Sequence, residues 1–142
     1  YLMNRVVADL ENVRIGLHIC RGNWSQDEST LLSGSYQPLK QYLERMHVRQ
    51  FVLEYATERA GDLLELSAPE LGLGVVNPRT EKVESVDEIK RSIERALKIY
   101  RKERLFVNPD CGFANFSNRP VNSSDIAVRK MKAIAEAVKE FR

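Results

Sequence analysis

Four short apolar runs, each closed by turn-forming residues and each followed by helical periodicity, constrain this chain more than any other feature. They lie over 13–19, 50–54, 71–76 and 104–108, and runs of this length with few charges predict buried strands. Elsewhere the spacing changes. Leu2, Val6, Val7 and Leu10 predict a helix ahead of the first strand, and Pro38 suits the first turn of a helix over 38–46. A short helix is predicted over 62–66, stopped near Pro69. Ser85 and Glu88 form a capping-box pattern, which satisfies exposed backbone donors at a helix start. The helix it opens has an apolar stripe of Ile89, Ile93, Ala96, Leu97 and Tyr100. A last helix over 125–141 is predicted to bury Ala127, Met131, Ile134, Val138 and Phe141.

Strand and helix in strict alternation predict an α/β fold with parallel strands joined by right-handed crossovers. Four β/α units are half of a (β/α)8 TIM barrel; a doubly wound sheet is the competing architecture. With 142 residues the chain has the length of one domain, and no linker divides 1–142. Its 22 basic and 20 acidic residues leave a net charge of +2 with no long charged run. Nothing in that balance asks for nucleic acid or an anionic membrane. No apolar stretch approaches the roughly 18 residues of a membrane span, so the expectation is a soluble, cytoplasmic protein. The first residue is Tyr1, already inside a helical pattern, which predicts a fragment. Half a barrel also leaves two bare strand edges, so the chain is expected to need the missing half-barrel or a partner chain.

Functional groups of parallel α/β folds collect where strands end. Here those ends hold His18 and Cys20, then Glu54, then Asn77 and Arg79, then Asp110 and Cys111. The only two cysteines both fall at such ends. Histidine, thiolate and carboxylate are zinc ligand types, and soft sulfur with imidazole favours zinc over magnesium or calcium. Two plainer readings stand beside this one: a buried cysteine is often a small hydrophobe, and Glu54 has a candidate cation in Arg59.

The stretches HICRGN (18–23), FVLEYATERAGD (51–62), LGLGVVNPRTEKVESVDEI (71–89) and RLFVNPDCGF (104–113) occur in that order. Together they resemble the C-terminal catalytic barrel of cobalamin-independent methionine synthase and its shorter relatives, the zinc-dependent thiol alkyltransferases. The resemblance runs nearly end to end, and VNPDCG is its most specific motif. It implies that 1–142 is the second half of a (β/α)8 catalytic domain. It also implies a thiol acceptor such as homocysteine and a methyltetrahydrofolate-like donor. Position by position, it implies Zn2+ held by His18, Cys20, Glu54 and Cys111. Two thiolates and one carboxylate around a divalent zinc leave a net charge of about −1, a mild Lewis acid that keeps a substrate thiol deprotonated yet nucleophilic. Glu54, the hardest ligand, is the one expected to give way to the incoming sulfur.

The chain also departs from the family. Where the long synthases carry a histidine proposed as an acid, Arg79 stands in NPRT, a candidate to bind an anionic donor or a substrate carboxylate. The loop after Cys20 is longer than in those enzymes, which points to single-barrel relatives with other donors or thiols, including coenzyme M. Asp110 is a candidate carboxylate supporting a ligand or substrate. Arg21 and Asn23 are candidates to position substrate, Gly112 to let backbone approach the site, and Trp24 to stack on a flat pterin. His47 reads as a surface residue. A metal-free binding domain on the same barrel framework is the rival from another class.

Overall fold

The computed structural model describes residues 2–67 and 69–142, with Glu28 described in its backbone alone. Four strands form one parallel sheet: β1 (Gly16–His18), β2 (Gln50–Leu53), β3 (Glu70–Val76) and β4 (Leu105–Pro109), in the order β1-β2-β3-β4. The helices are α1 (Leu2–Val6), α2 (Lys40–Leu43), α3 (Val86–Leu97) and α4 (Ser124–Ala137). This is the α/β order that the apolar runs predict, with every strand beside its sequence neighbour.

Register assigns the two faces. One face carries the aligned row Leu17, Phe51, Leu71 and Leu105, and above it Leu53, Leu73 and Val107. These residues share a hydrophobic core with Ile89, Ile93 and Ala96 of α3 and Ile134 and Ala137 of α4. The opposite face carries His18, Val52, Gly72 and Phe106 in one row, with Gly74 beside Asn108 in the next. Two glycines in the most buried strand have a physical reason. A methyl at Gly72 would press on Asn108 Oδ1 and on Val52, and one at Gly74 would overlap the Asp110 carboxylate. Their absence of side chains lets β4's polar groups lie across β3.

The capping box forms as predicted: Ser85 Oγ accepts from the Glu88 N–H and the Glu88 side chain accepts from the Ser85 N–H. Ser123 caps α4 in the same manner, accepting from the Ile126 N–H.

Three expectations are corrected. The 62–66 segment is not helical; a 3-10 turn at Glu58–Ala60 precedes it, and Leu64 and Leu66 are buried two apart along irregular chain. Tyrosine hydroxyls replace helical bonds there. Leu64 N–H donates to Tyr55 OH at 2.9 Å, Leu66 N–H donates to Tyr100 OH at 3.0 Å, and Tyr100 OH donates to the Leu64 carbonyl at 2.6 Å. On α4, Ile134 is buried and Val138 and Phe141 pack against the core as predicted, but Met131 is 46% exposed and Lys130 is fully buried in its stead. Finally, of the 13–19 run only Gly16–His18 is strand, with backbone hydrogen bonds at Ile15 and Ile19 flanking it.

Candidate metal centre

In a flat sheet, strands three places apart are separated by about 14 Å, three spacings of roughly 4.8 Å. Yet Cys20, past the end of β1, and Cys111, past the end of β4, bring their sulfurs to 3.8 Å. The chain beyond the two edge strands therefore folds inward over β2 and β3. Asp110 anchors that fold on one side. Its N–H donates to the Val76 carbonyl at 3.0 Å, and its Oδ1 accepts from the N–H groups of Tyr55 (2.9 Å) and Ala56 (3.0 Å), just beyond β2. The carboxylate thus spans β3 over Gly74, carrying Cys111 with it.

On the other side Gly22, at φ +101°, turns the chain after Arg21 in a conformation that favours glycine. Its N–H then points back at Cys20 Sγ at 3.4 Å. The Arg21 guanidinium stacks 3.9 Å from the centre of the Tyr36 ring, and Tyr36 OH donates to the Ile19 carbonyl at 3.2 Å.

His18, the last residue of β1, completes a group with the two sulfurs: one potential ligand atom from each of His18, Cys20 and Cys111 lies within 4.8 Å of the others. Its Nδ1 sits 3.0 Å from the Val52 carbonyl. A carbonyl only accepts, so the proton is on Nδ1 and the Nε2 lone pair is left to bind a metal, the arrangement usual for ligating histidines. The donor set passes a second test. Two sulfurs at about 2.3 Å from a tetrahedral zinc stand about 3.8 Å apart, whereas a disulfide closes to about 2.05 Å. The observed 3.8 Å matches the former.

Glu54, the fourth ligand implied by the resemblance, stands outside that trio. It is 1% exposed and held by Arg59 Nη2 on Oε2 at 2.5 Å, and by the Arg21 N–H (2.7 Å) and Asn23 Nδ2 (2.6 Å) on Oε1. The pairing with Arg59 is therefore present. The same Asn23 nitrogen lies 3.8 Å from Cys20 Sγ, so one amide separates the carboxylate from the sulfur.

Asp110 is fully buried, and its Oδ2 has no hydrogen-bond partner among the described residues. Burial pushes its carboxyl up to about 7; the Ala56 N–H pulls the other way, and the nearby Glu54 charge adds to the push. Arg79 is 2% exposed, with Nε donating to Asn23 Oδ1 at 3.1 Å. Trp24 is 47% exposed and packs its ring over Gly22.

Sequence reasoning passed over Asn122, Glu84 and Lys130. Asn122 Nδ2 donates to the carbonyls of Pro78 (3.3 Å) and Thr80 (2.8 Å), gripping the loop that carries Arg79. Lys130 Nζ donates to Glu84 Oε2 at 2.8 Å and to the Lys82 carbonyl. The signal for Lys130 was available: a lysine three residues after Ala127 and four before Ile134 lies on the buried stripe.

Fold and site together define a class: an α/β half-barrel with a histidine and two cysteines gathered at the C-terminal ends of its strands. The chain belongs to the family described as cobalamin-independent synthase, catalytic domain, whose family model matches residues 2–137. It is 34% identical to a methionine synthase of Pyrococcus abyssi and 32% identical to one of Pyrococcus furiosus, in each case over 99% of this chain and 37% of the relative. Among solved structures it resembles a B12-independent methionine synthase from Shewanella sp. W3-18-1 in complex with selenomethionine. The TM-score is 0.83 at 19% identity, covering 99% of this chain and 41% of that one. The chain thus spans somewhat over a third of the length of these relatives. Among the described residues no helix is long and apolar enough to cross a membrane.

Proposed function

We propose that this chain is the C-terminal, metal-holding half of a zinc-dependent methyltransferase barrel in the cytoplasm, which passes a methyl group from a methyltetrahydrofolate-like donor to homocysteine to give methionine. One observation carries the reading: two sulfurs from opposite sheet edges held 3.8 Å apart, with an imidazole beside them. The relatives named methionine synthases support the reaction class.

His18, Cys20 and Cys111 would hold Zn2+, with Glu54 as the fourth ligand once it leaves Arg59. Zinc bound there supplies Lewis acidity that keeps a substrate thiol deprotonated near neutral pH while leaving it nucleophilic. The protein's own groups do the rest. Val52 fixes the tautomer of His18. The Gly22 N–H and Asn23 Nδ2 steady Cys20, and Asp110 tethers Cys111 to the end of β2. Arg59, which pairs with Glu54 here, would keep that carboxylate partnered when it is not holding the metal. The other half of the barrel supplies the remaining substrate contacts.

The test is metal content and thiol binding in the full-length protein. One zinc per chain is expected, lost in Cys111→Ser with the fold retained by circular dichroism. Homocysteine is expected to release a proton on binding to the zinc form, and coenzyme M serves as the comparison thiol. A reduced protein that takes up no zinc refutes the reading; proton release with coenzyme M alone moves the acceptor to that thiol.

A further inference from the structure

Asn23 is fully buried between two charged groups, and their chemistry fixes the direction of its amide. The Arg79 guanidinium only donates, so its Nε at 3.1 Å requires the Asn23 oxygen. The Glu54 carboxylate only accepts, so Oε1 at 2.6 Å requires the nitrogen. That nitrogen also reaches Cys20 Sγ. A flipped amide would set oxygen against carboxylate and N–H against guanidinium, replacing two hydrogen bonds with two repulsive contacts.

Arg79 is itself held from behind. Its N–H donates to Asn77 Oδ1 at 3.0 Å, and the Asn77 N–H donates to Glu84 Oε1 at 2.9 Å. Glu84 Oε2 in turn accepts from the fully buried Lys130 of α4. The links run unbroken from α4 to the Cys20 sulfur.

We propose that Arg79 is a positioning residue: by donating to Asn23 it locks that amide with Nδ2 toward Glu54 and Cys20, and Lys130 and Glu84 keep Arg79 in register. This rests on the zinc reading above for its effect on metal, and it gives the arginine a task different from proton delivery.

The full-length protein is titrated with zinc against a chromophoric chelator, and with cobalt(II) for its thiolate charge-transfer band. Arg79→Met is expected to weaken zinc about 10-fold and to shift the band, whereas Arg79→Lys, which keeps a donor, recovers part of the loss. Asn23→Asp still accepts from Arg79 but cannot donate, and is expected to weaken zinc by about 10- to 100-fold. In an Asn23→Ala background, Arg79→Met should add little, because both changes remove one shared interaction. Additive losses, or wild-type affinity and band in Arg79→Met, overturn the proposal. Should Arg79→Met fail to fold, wild-type behaviour of Asn23→Asp overturns it instead.

A metal-free measurement separates the two readings. In the apoprotein the Asn23 side-chain amide should exchange slowly by NMR, and its resonances should move in Arg79→Lys. A protected amide in a protein that takes no zinc supports the lock and refutes the zinc reading. Zinc binding with a freely exchanging Asn23 amide refutes the lock.

Discussion

The two ends of the sheet each hold a buried carboxylate with arginine partners, and they hold it differently. At the N-terminal end Glu70 opens β3 and accepts from Arg14 Nη2 at 2.6 Å and Arg49 Nε at 2.8 Å. Those cations lie at the surface, their side chains 51% and 67% exposed, and Arg14 also stacks 4.7 Å from the Phe106 ring centre. At the C-terminal end Glu54 meets Arg59, whose side chain is only 11% exposed, inside a web that includes Asn23, Arg21 and Arg79. Arg59 Nε and Nη1, Arg21 Nε and Asp110 Oδ2 find no hydrogen-bond partner there among the described residues. One end seals the sheet with replaceable surface charge. Glu70 Oε2 is also without a partner among the described residues, so the ends differ in where the cation sits: the other end buries cation and anion together, a cost proteins bear where side chains must be presented to a ligand.

Neutralising each carboxylate separates the two cases most sharply. Glu54→Gln leaves Arg59 buried without its counter-charge and is expected to cost about 3–5 kcal/mol. Glu70→Gln leaves cations that water already solvates and is expected to cost about 1 kcal/mol, since solvent screens exposed pairs. Urea unfolding of both variants measures the pair of values. Equal losses would abolish the distinction between the ends.

The C-terminal rim also depends on the empty space at Gly74. Gly74→Ala sets a methyl against the Asp110 carboxylate and 2.8 Å from the Leu53 carbonyl, backbone that cannot yield. Overpacking of this kind costs about 1–3 kcal/mol. Its distinctive consequence is local: Asp110 is displaced from Tyr55 and Ala56, Cys111 moves away from Cys20, and zinc binding falls by more than stability does. Zinc titration beside thermal unfolding reads both, and a variant as zinc-competent as it is stable would detach the rim from Gly74.

The two ends should answer pH with opposite signs. The Asp110 carboxyl, at about 7, titrates above its ordinary 3.8. The folded chain therefore keeps a proton that the unfolded chain releases, and the stability this group contributes is complete below about pH 4 and lost as pH rises through 7. For Glu70 burial raises the carboxyl, but hydrogen bonds from Arg14 and Arg49 outweigh it and leave it below its ordinary 4.5. Its contribution is present above that value and lost as pH falls through the lowered one. After chelation, Asp110→Asn should flatten the decline between pH 4 and 7, and Glu70→Gln should flatten the acid limb. A decline unchanged in Asp110→Asn removes that group from the account.

How much of this could be read beforehand divides along the same line. Strands β2 to β4 were legible because β-branched and leucine runs between turn residues have few other uses, and the α3 cap was legible because Ser85 and Glu88 satisfy one another locally. The trio of His18, Cys20 and Cys111 followed from its place at strand ends. What stayed hidden was non-local. Leu63, Leu64 and Leu66 suit a helix as well as an irregular segment, and only the hydroxyls of Tyr55 and Tyr100 decide between them. The spacing of Lys130 from Ala127 and Ile134 placed it on the buried stripe, but its partner Glu84 lies far back in the chain and was not legible. Glu54 could be matched with zinc or with Arg59, and spacing alone does not rank a metal against a cation.

The smallest effect tests the N-terminal end alone. Arg49→Ala removes one of two cations from Glu70, and Arg14 stays in place, bonded to the same oxygen and stacked on Phe106. Arg49 is mostly solvated, so the expected cost is about 0.2–1 kcal/mol. It should shrink further as salt rises, because ions screen an exposed charge over about 10 Å at 0.1 M. The matching change at the other end, Arg59→Ala, strands Glu54 in a site water does not reach, and salt should leave its larger cost nearly untouched. Urea unfolding of both variants at low and high salt provides four values. If Arg59→Ala proves as salt-sensitive as Arg49→Ala, water reaches the C-terminal web, and the contrast in burial that separates the two ends is lost.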